Sequence, residues 1–150
     1  MKHQLHTLAI TLLLGLGCLG TAFAQQAKPK AFDNYAAEIS CNTPTLHALI
    51  SAPTGSTINA TLGANFTITG TVKANLQKTD NLKTVLIQLT NFPSMLFSLS
   101  IFSDSYNTNR LVGRILSTDY ADAYEIQLQP TGNYNLVKQV TNNIIQPCMQ

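Results

Sequence analysis

The run GANFTITGTVKAN, residues 63–75, decides the fold. Phe66, Ile68 and Val72 alternate there with Thr67, Thr69 and Thr71. A period of two puts every second side chain on the same face, so the run predicts a β-strand with one face in a core and the other in water. Gly70 falls in an inward slot, which predicts a bulge or close packing of another strand. Upstream, Ile58, Ala60 and Leu62 alternate in the same way, and Gly63-Ala64-Asn65 separates the two runs. The pair reads as two strands with a tight connection, or as one long strand with a kink.

The same grammar recurs downstream. Val85, Ile87 and Leu89 share one face of KTVLIQLTN, and Phe97, Leu99 and Ile101 share one face of LFSLSIFSD, with Ser98 and Ser100 opposite. Asn91 to Ser94 makes the turn between them. RLVGRILSTD is less regular. AYEIQLQPTG is strict, with Tyr124, Ile126 and Leu128 alternating with Glu125, Gln127 and Gln129, and NYNLVKQVTN closes the series. TLHALISAP places Leu46, Ala48 and Ile50 on one side of a further strand, while YAAEIS before Cys41 fits a helical turn or a first strand. About seven short strands, spaced by Gly, Pro, Asn and Asp turns, predict an all-β domain built as an antiparallel β-sandwich. Over roughly residues 45–140 the arrangement resembles bacterial immunoglobulin-like modules in architecture, through the GxxFTITGTV type of early strand. The strand tryptophan and inter-sheet cysteine pair of antibody domains are absent, so the resemblance implies no site residue.

The start of the chain sets the compartment. Lys2, with His3 and His6, opens a weakly basic region, LAITLLLGLGCLG supplies an apolar run, and Ala22-Phe23-Ala24 is a small-x-small cleavage pattern. Together they predict a secretory signal over residues 1–24, cut after Ala24 so that Gln25 comes first. The apolar run falls short of the roughly 20 residues a spanning helix needs, and no other stretch is long and apolar enough. The expected product is secreted or periplasmic. Cys18 ends the apolar run and offers a competing lipid-attachment site, with Gly15 where such signals carry a branched aliphatic residue. QQAKPKAFDN, with one proline, two lysines and little apolar material, reads as part of a flexible lead-in over residues 25–40, and residues 41–150 as a single domain.

Cys41 and Cys148 are the cysteines left after cleavage. In an oxidising compartment the economical expectation is a disulfide between them, with two free thiols or an intermolecular pair as alternatives. The bond would close a loop of roughly 108 residues, worth about 4 to 5 kcal/mol in the chain-entropy model.

Charge is sparse and scattered. Of nine Lys and Arg only Lys2 leaves with the leader, against seven Asp and Glu, and there is no Trp. No basic stripe argues for nucleic acid and no acidic run for a metal. A Cys/His cluster, an HExxH pair, a glycine-rich phosphate loop and a GxSxG elbow are all missing. His47, the histidine that remains once His3 and His6 are removed, sits in a strand pattern and reads as a surface or half-buried side chain. STDYADAYE brings Asp119, Asp122 and Glu125 close in sequence. A glycosidase pair needs a cleft that holds its carboxylates apart, and a calcium loop needs a spaced ladder of acids, so Asp119 and Asp122 read as turn formers. Asn59-Ala60-Thr61 and Asn65-Phe66-Thr67 match the N-glycosylation pattern, but behind a leader of bacterial type they read as unmodified. The chain is expected to be no enzyme and to need no cofactor or metal.

The polar, turn-rich loop SDSYNTNR, residues 103–110, is the expected recognition site, through Tyr106, Asn107 and Arg110. Tyr120 joins them from a set, Tyr106, Tyr120, Tyr124 and Tyr134, of rings that can stack on sugars or anchor an interface. The expected function is a small monomeric binding or adhesion module that recognises a protein or carbohydrate through its loops. A structural subunit of a surface filament is an alternative, since LFSLSIF offers a pairing edge, although the lead-in lacks the alternation of a donated strand. An envelope lipoprotein and a secreted enzyme or inhibitor complete the set.

Overall fold

The computed structural model describes residues 27–103 and 108–144. Among them, eight strands carry the alternation. They are β1 (Glu38–Ser40), β2 (Thr57–Gly63), β3 (Phe66–Thr79), β4 (Leu82–Leu89), β5 (Leu96–Ser103), β6 (Asn109–Leu116), β7 (Asp122–Leu128) and β8 (Tyr134–Val140). Helix α1 (Thr43–Ile50) joins β1 to β2, and a single turn, α2 (Thr141–Ile144), follows β8. All eight strands lie in one antiparallel sheet, in the order β1-β8-β7-β6-β5-β4-β3-β2. From β2 to β8 each strand pairs with the next in sequence, and β1 adds to the far side of β8.

The fold is all-β, as the alternation predicts, but the two stacked sheets of about seven strands are replaced by one curled sheet of eight. A period of two states which face is buried and leaves open what buries it. Here the buried face turns in on itself. The two edge strands approach where the Asn42 N–H donates to the Leu62 carbonyl at 2.6 Å. Gly63 is needed at that seam, because a Cβ there would collide with the Ser40 carbonyl and the Ile39 side chain.

Val85, Ile87, Leu89, Phe97 and Leu99 are buried on the inner face, as their spacing predicts, together with Phe66, Ile68 and Val72. The tight connection after Leu62 is a hairpin turn with Asn65 at φ 58°. The predicted close packing at Gly70 is present, since a Cβ would meet the Gln88 carbonyl and lie 3.1 Å from the Ile87 side chain.

Two further expectations are corrected. TLHALISAP begins inside a helix, Thr43–Ile50, of which Leu46, Leu49 and Ile50 are the buried residues, while Ala48 is exposed. Leu46 and Ile50 satisfy either period, and Leu49 selects the helix. The Asn42 side chain accepts the Thr45 N–H at 3.3 Å and Pro44 sits in the first turn, two start signals that a short alternating pattern hides.

The second concerns the flexible lead-in. Its described part is tied down from Pro29 onward. Phe32 is fully buried, with its ring centroid 4.7 Å from that of Tyr124 and 5.2 Å from that of Phe92. Asp122 accepts the N–H groups of Ala31 at 2.7 Å and Phe32 at 2.9 Å. The Lys138 ammonium donates to the carbonyls of Phe32 at 2.6 Å and Tyr35 at 2.8 Å. Burying one such ring is worth roughly 1.5 to 3 kcal/mol, so Phe32 outweighs the tether-like composition around it. Among the described residues no helix is long and apolar enough to cross a membrane.

Candidate functional site

Strand β6 pairs with β5 along its whole length, and β7 with β8 along its own. Between β6 and β7, however, pairing is confined to Gly113 with Ile126, Arg114 with Glu125, and Ile115 with Tyr124. The register would next bring Val112 opposite Gln127 and Leu111 opposite Leu128, but there the strands part. In an antiparallel ladder alternate residues direct both backbone groups to the same neighbour. The Leu111 backbone therefore faces β7, and its N–H is taken instead by the Tyr134 hydroxyl of β8, at 3.0 Å. Tyr134 is 6% exposed and pairs with Leu128.

This explains a departure from the sequence pattern. Leu128 occupies an inward slot of its strand, yet it is 46% exposed; Val112, opposite the outward Ser100, is 42% exposed as its face predicts. The parted strands leave a cleft of about 640 Å³, lined by Ser98, Ser100, Arg110, Val112, Arg114, Glu125, Gln127 and Leu128 among others. Arg114 Nε donates to Glu125 Oε1 at 3.1 Å, and Gln127 Nε2 donates to Glu125 Oε2 at 3.2 Å. Both carboxylate oxygens are thus engaged. Arg110, at the open end, makes no ion pair with another described residue.

The residues expected to bind do not form one group. Arg110 is exposed on the cleft. Tyr120 follows the far end of β6, half-buried against the core. An eight-residue strand is roughly 23 Å long, so the two stand at opposite ends of it. Tyr106 and Asn107 lie outside the described residues. So does Cys148, the expected partner of Cys41. The Cys41 thiol is half-buried and donates to the Ile39 carbonyl at 3.8 Å, and desolvation pushes it up to about 11 against the opposing pull of a backbone hydrogen bond from Leu136.

The three acids of STDYADAYE separate. The Asp119 backbone N–H donates to the Ser117 hydroxyl at 3.1 Å, Asp122 holds the N-terminal segment, and Glu125 pairs with Arg114. His47 is exposed on α1. Among the described residues no group of three or more His, Cys, Asp or Glu is placed to hold a metal ion. Sequence reading missed the parting of β6 and β7, because a strand pattern records faces and carries no record of where a ladder stops. Comparison with protein-family models, with curated proteins and with solved structures finds no match.

Proposed function

We propose that this chain is an exported binding module whose β6/β7 cleft takes an extended segment of a partner protein. The observation that carries this reading is the parting of the two strands, which directs the Leu111 carbonyl and the backbone groups of Leu128 toward an open cleft, the Leu111 N–H being held by Tyr134. An extended segment can use such groups for main-chain hydrogen bonds, and side-chain contacts then supply selectivity. Val112 and Leu128 offer apolar contact, and Arg110, in no ion pair among the described residues, favours a carboxylate on the ligand. A carbohydrate ligand is the second reading of the expected loops. It is disfavoured for this cleft because no aromatic ring among the described residues lines it for stacking on a sugar.

Export rests on the signal over residues 1–24, with cleavage after Ala24 and delivery to a secreted or periplasmic location. The Cys41 to Cys148 bond, a monomeric state and a non-enzymatic role belong to the same reading. The test is a photo-crosslinking residue at Val112, introduced in the native host. It should trap one protein in a band that weakens about tenfold in Arg110→Glu, while a crosslinker at exposed Lys78 traps nothing comparable. An Arg110→Glu variant that traps its partner as well as the parent chain does would sink the proposal.

A further inference from the structure

Beyond the seam at Leu62 and Gly63, the β2 edge of the sheet is open. Strand β2 ends the sheet order, and β1 meets it only near Leu62 and Gly63, because the chain turns into α1 at Asn42. The direction of the free backbone groups follows from the hydrogen bonds of β3. Val72 exchanges bonds with Gly55 and Ser56 on the β2 side, whereas the Thr69 carbonyl accepts the Thr90 N–H on the β4 side. Ile68 and Gly70 therefore face β2, where Ala60 and Ile58 lie opposite them. By the same alternation Thr57, Asn59 and Thr61 turn their N–H and C=O groups outward. No described residue bonds to them there.

Beside this edge runs a groove of about 840 Å³, with α1 as its other boundary. Ala48 and Ala52 on that side and Ala60 on β2 leave room for incoming side chains, and among the described residues no charged one lines it. We infer that the β2 edge is a second docking site, which takes an uncharged, extended peptide strand from a partner chain by adding it alongside Thr57 to Thr61. Three outward residues supply the main-chain bonds, the small lining admits β-branched side chains, and the uncharged lining penalises a buried Lys or Glu on the ligand.

The probe is a terminally blocked heptapeptide alternating Thr and Val, with a second peptide alternating Lys and Glu as control. Amide exchange at Thr57, Asn59 and Thr61 should slow about tenfold with the first and stay unchanged with the second. Asn59→Pro removes an outward N–H, a change that an edge strand tolerates, and Ala48→Arg fills the groove from an exposed helix position. Both should abolish the slowing, and Ala48→Arg keeps the test valid if the proline variant does not fold. Arg110→Glu should leave it intact, which separates this site from the β6/β7 cleft. The inference fails if the Thr/Val peptide gives no slowing, or if both variants respond like the parent chain. It fails equally if sedimentation shows a dimer that closes the edge, since the occupant would then be a second copy.

Discussion

The Leu111 N–H on β6 donates to the Tyr134 hydroxyl on β8 at 3.0 Å, although β7 lies between these strands in the sheet. One side chain thus replaces a rung of the ladder and leaves no buried donor unmet at Leu111. Tyr134→Phe removes the acceptor and keeps the ring. An unsatisfied backbone donor costs roughly 1 to 3 kcal/mol, so the variant should lose about that much in a denaturant titration, and the Leu111 amide should exchange faster. Unchanged exchange at Leu111 would mean that the hydroxyl is not its partner in solution.

Asp122 joins the first described segment to β7 across 91 residues of sequence. Asp122→Ala leaves the Ala31 and Phe32 N–H groups without their acceptor. Charged hydrogen bonds of this kind are worth roughly 1.5 to 3 kcal/mol, so the midpoint of unfolding should fall by several degrees. Proteolysis after Lys30 should accelerate more than cleavage elsewhere. Uniform acceleration across the chain would show that Asp122 stabilises the whole sheet without holding this segment in particular.

Burial, and after it the nearby charges of Asp122 and Tyr35, pushes the Tyr124 hydroxyl up to about 12 from 10.0. The unfolded chain then releases this proton before the folded one does. Tyr124 contributes stability that is complete below pH 10 and is lost as the pH rises to about 12. Comparing Tyr124→Phe with the parent chain between these limits tests the sign. The parent should lose stability faster than the variant, and parallel curves would refute the shift.

Gly70 lies against the Gln88 carbonyl of β4, in space that a methyl group cannot enter. Overpacking costs typically 1 to 3 kcal/mol, and Gly70→Ala should fall within or above that range because the obstacle is backbone. Gly132→Ala makes the useful contrast, since nothing crowds a Cβ there and the cost is that of its φ of 83° alone. Equal loss in both variants would show that the strand contact at Gly70 is looser in solution.

A mass two hydrogens light for a chain starting at Gln25 would establish the Cys41 to Cys148 bond. Cys41 sits beside Tyr134, whereas the tail leaves β8 at Thr141, about 23 Å further along. The four residues from Ile144 to Cys148 span at most about 14 Å, so closure requires a taut tail directed back along β8. The tail should therefore resist carboxypeptidase when oxidised and be trimmed after reduction. Trimming at the same rate in both states would argue against the bond.

The strand faces were legible residue by residue. Phe66, Ile68, Val72, Val85, Ile87, Phe97 and Tyr124 all bury the side their spacing predicts. What fills the concave side was not. Alternation over Leu46, Ala48 and Ile50 concealed a helix whose cap and proline were visible, and Phe32 stood alone in a polar segment with no periodicity to mark it. The cleft was less legible still. Arg110 was singled out for its polar loop, but its setting depends on where β6 leaves β7, which a strand pattern does not record.

The bonds from Asp122 to the segment around Phe32 bear on the order in which the domain can assemble. A chain synthesised amino end first delivers Phe32 early and Asp122 much later, and β1 must wait longer still for β8. The neighbouring hairpins from β2 to β7 can form as they emerge, whereas closure of the seam needs almost the entire sequence. Until then the aromatic ring has no finished socket.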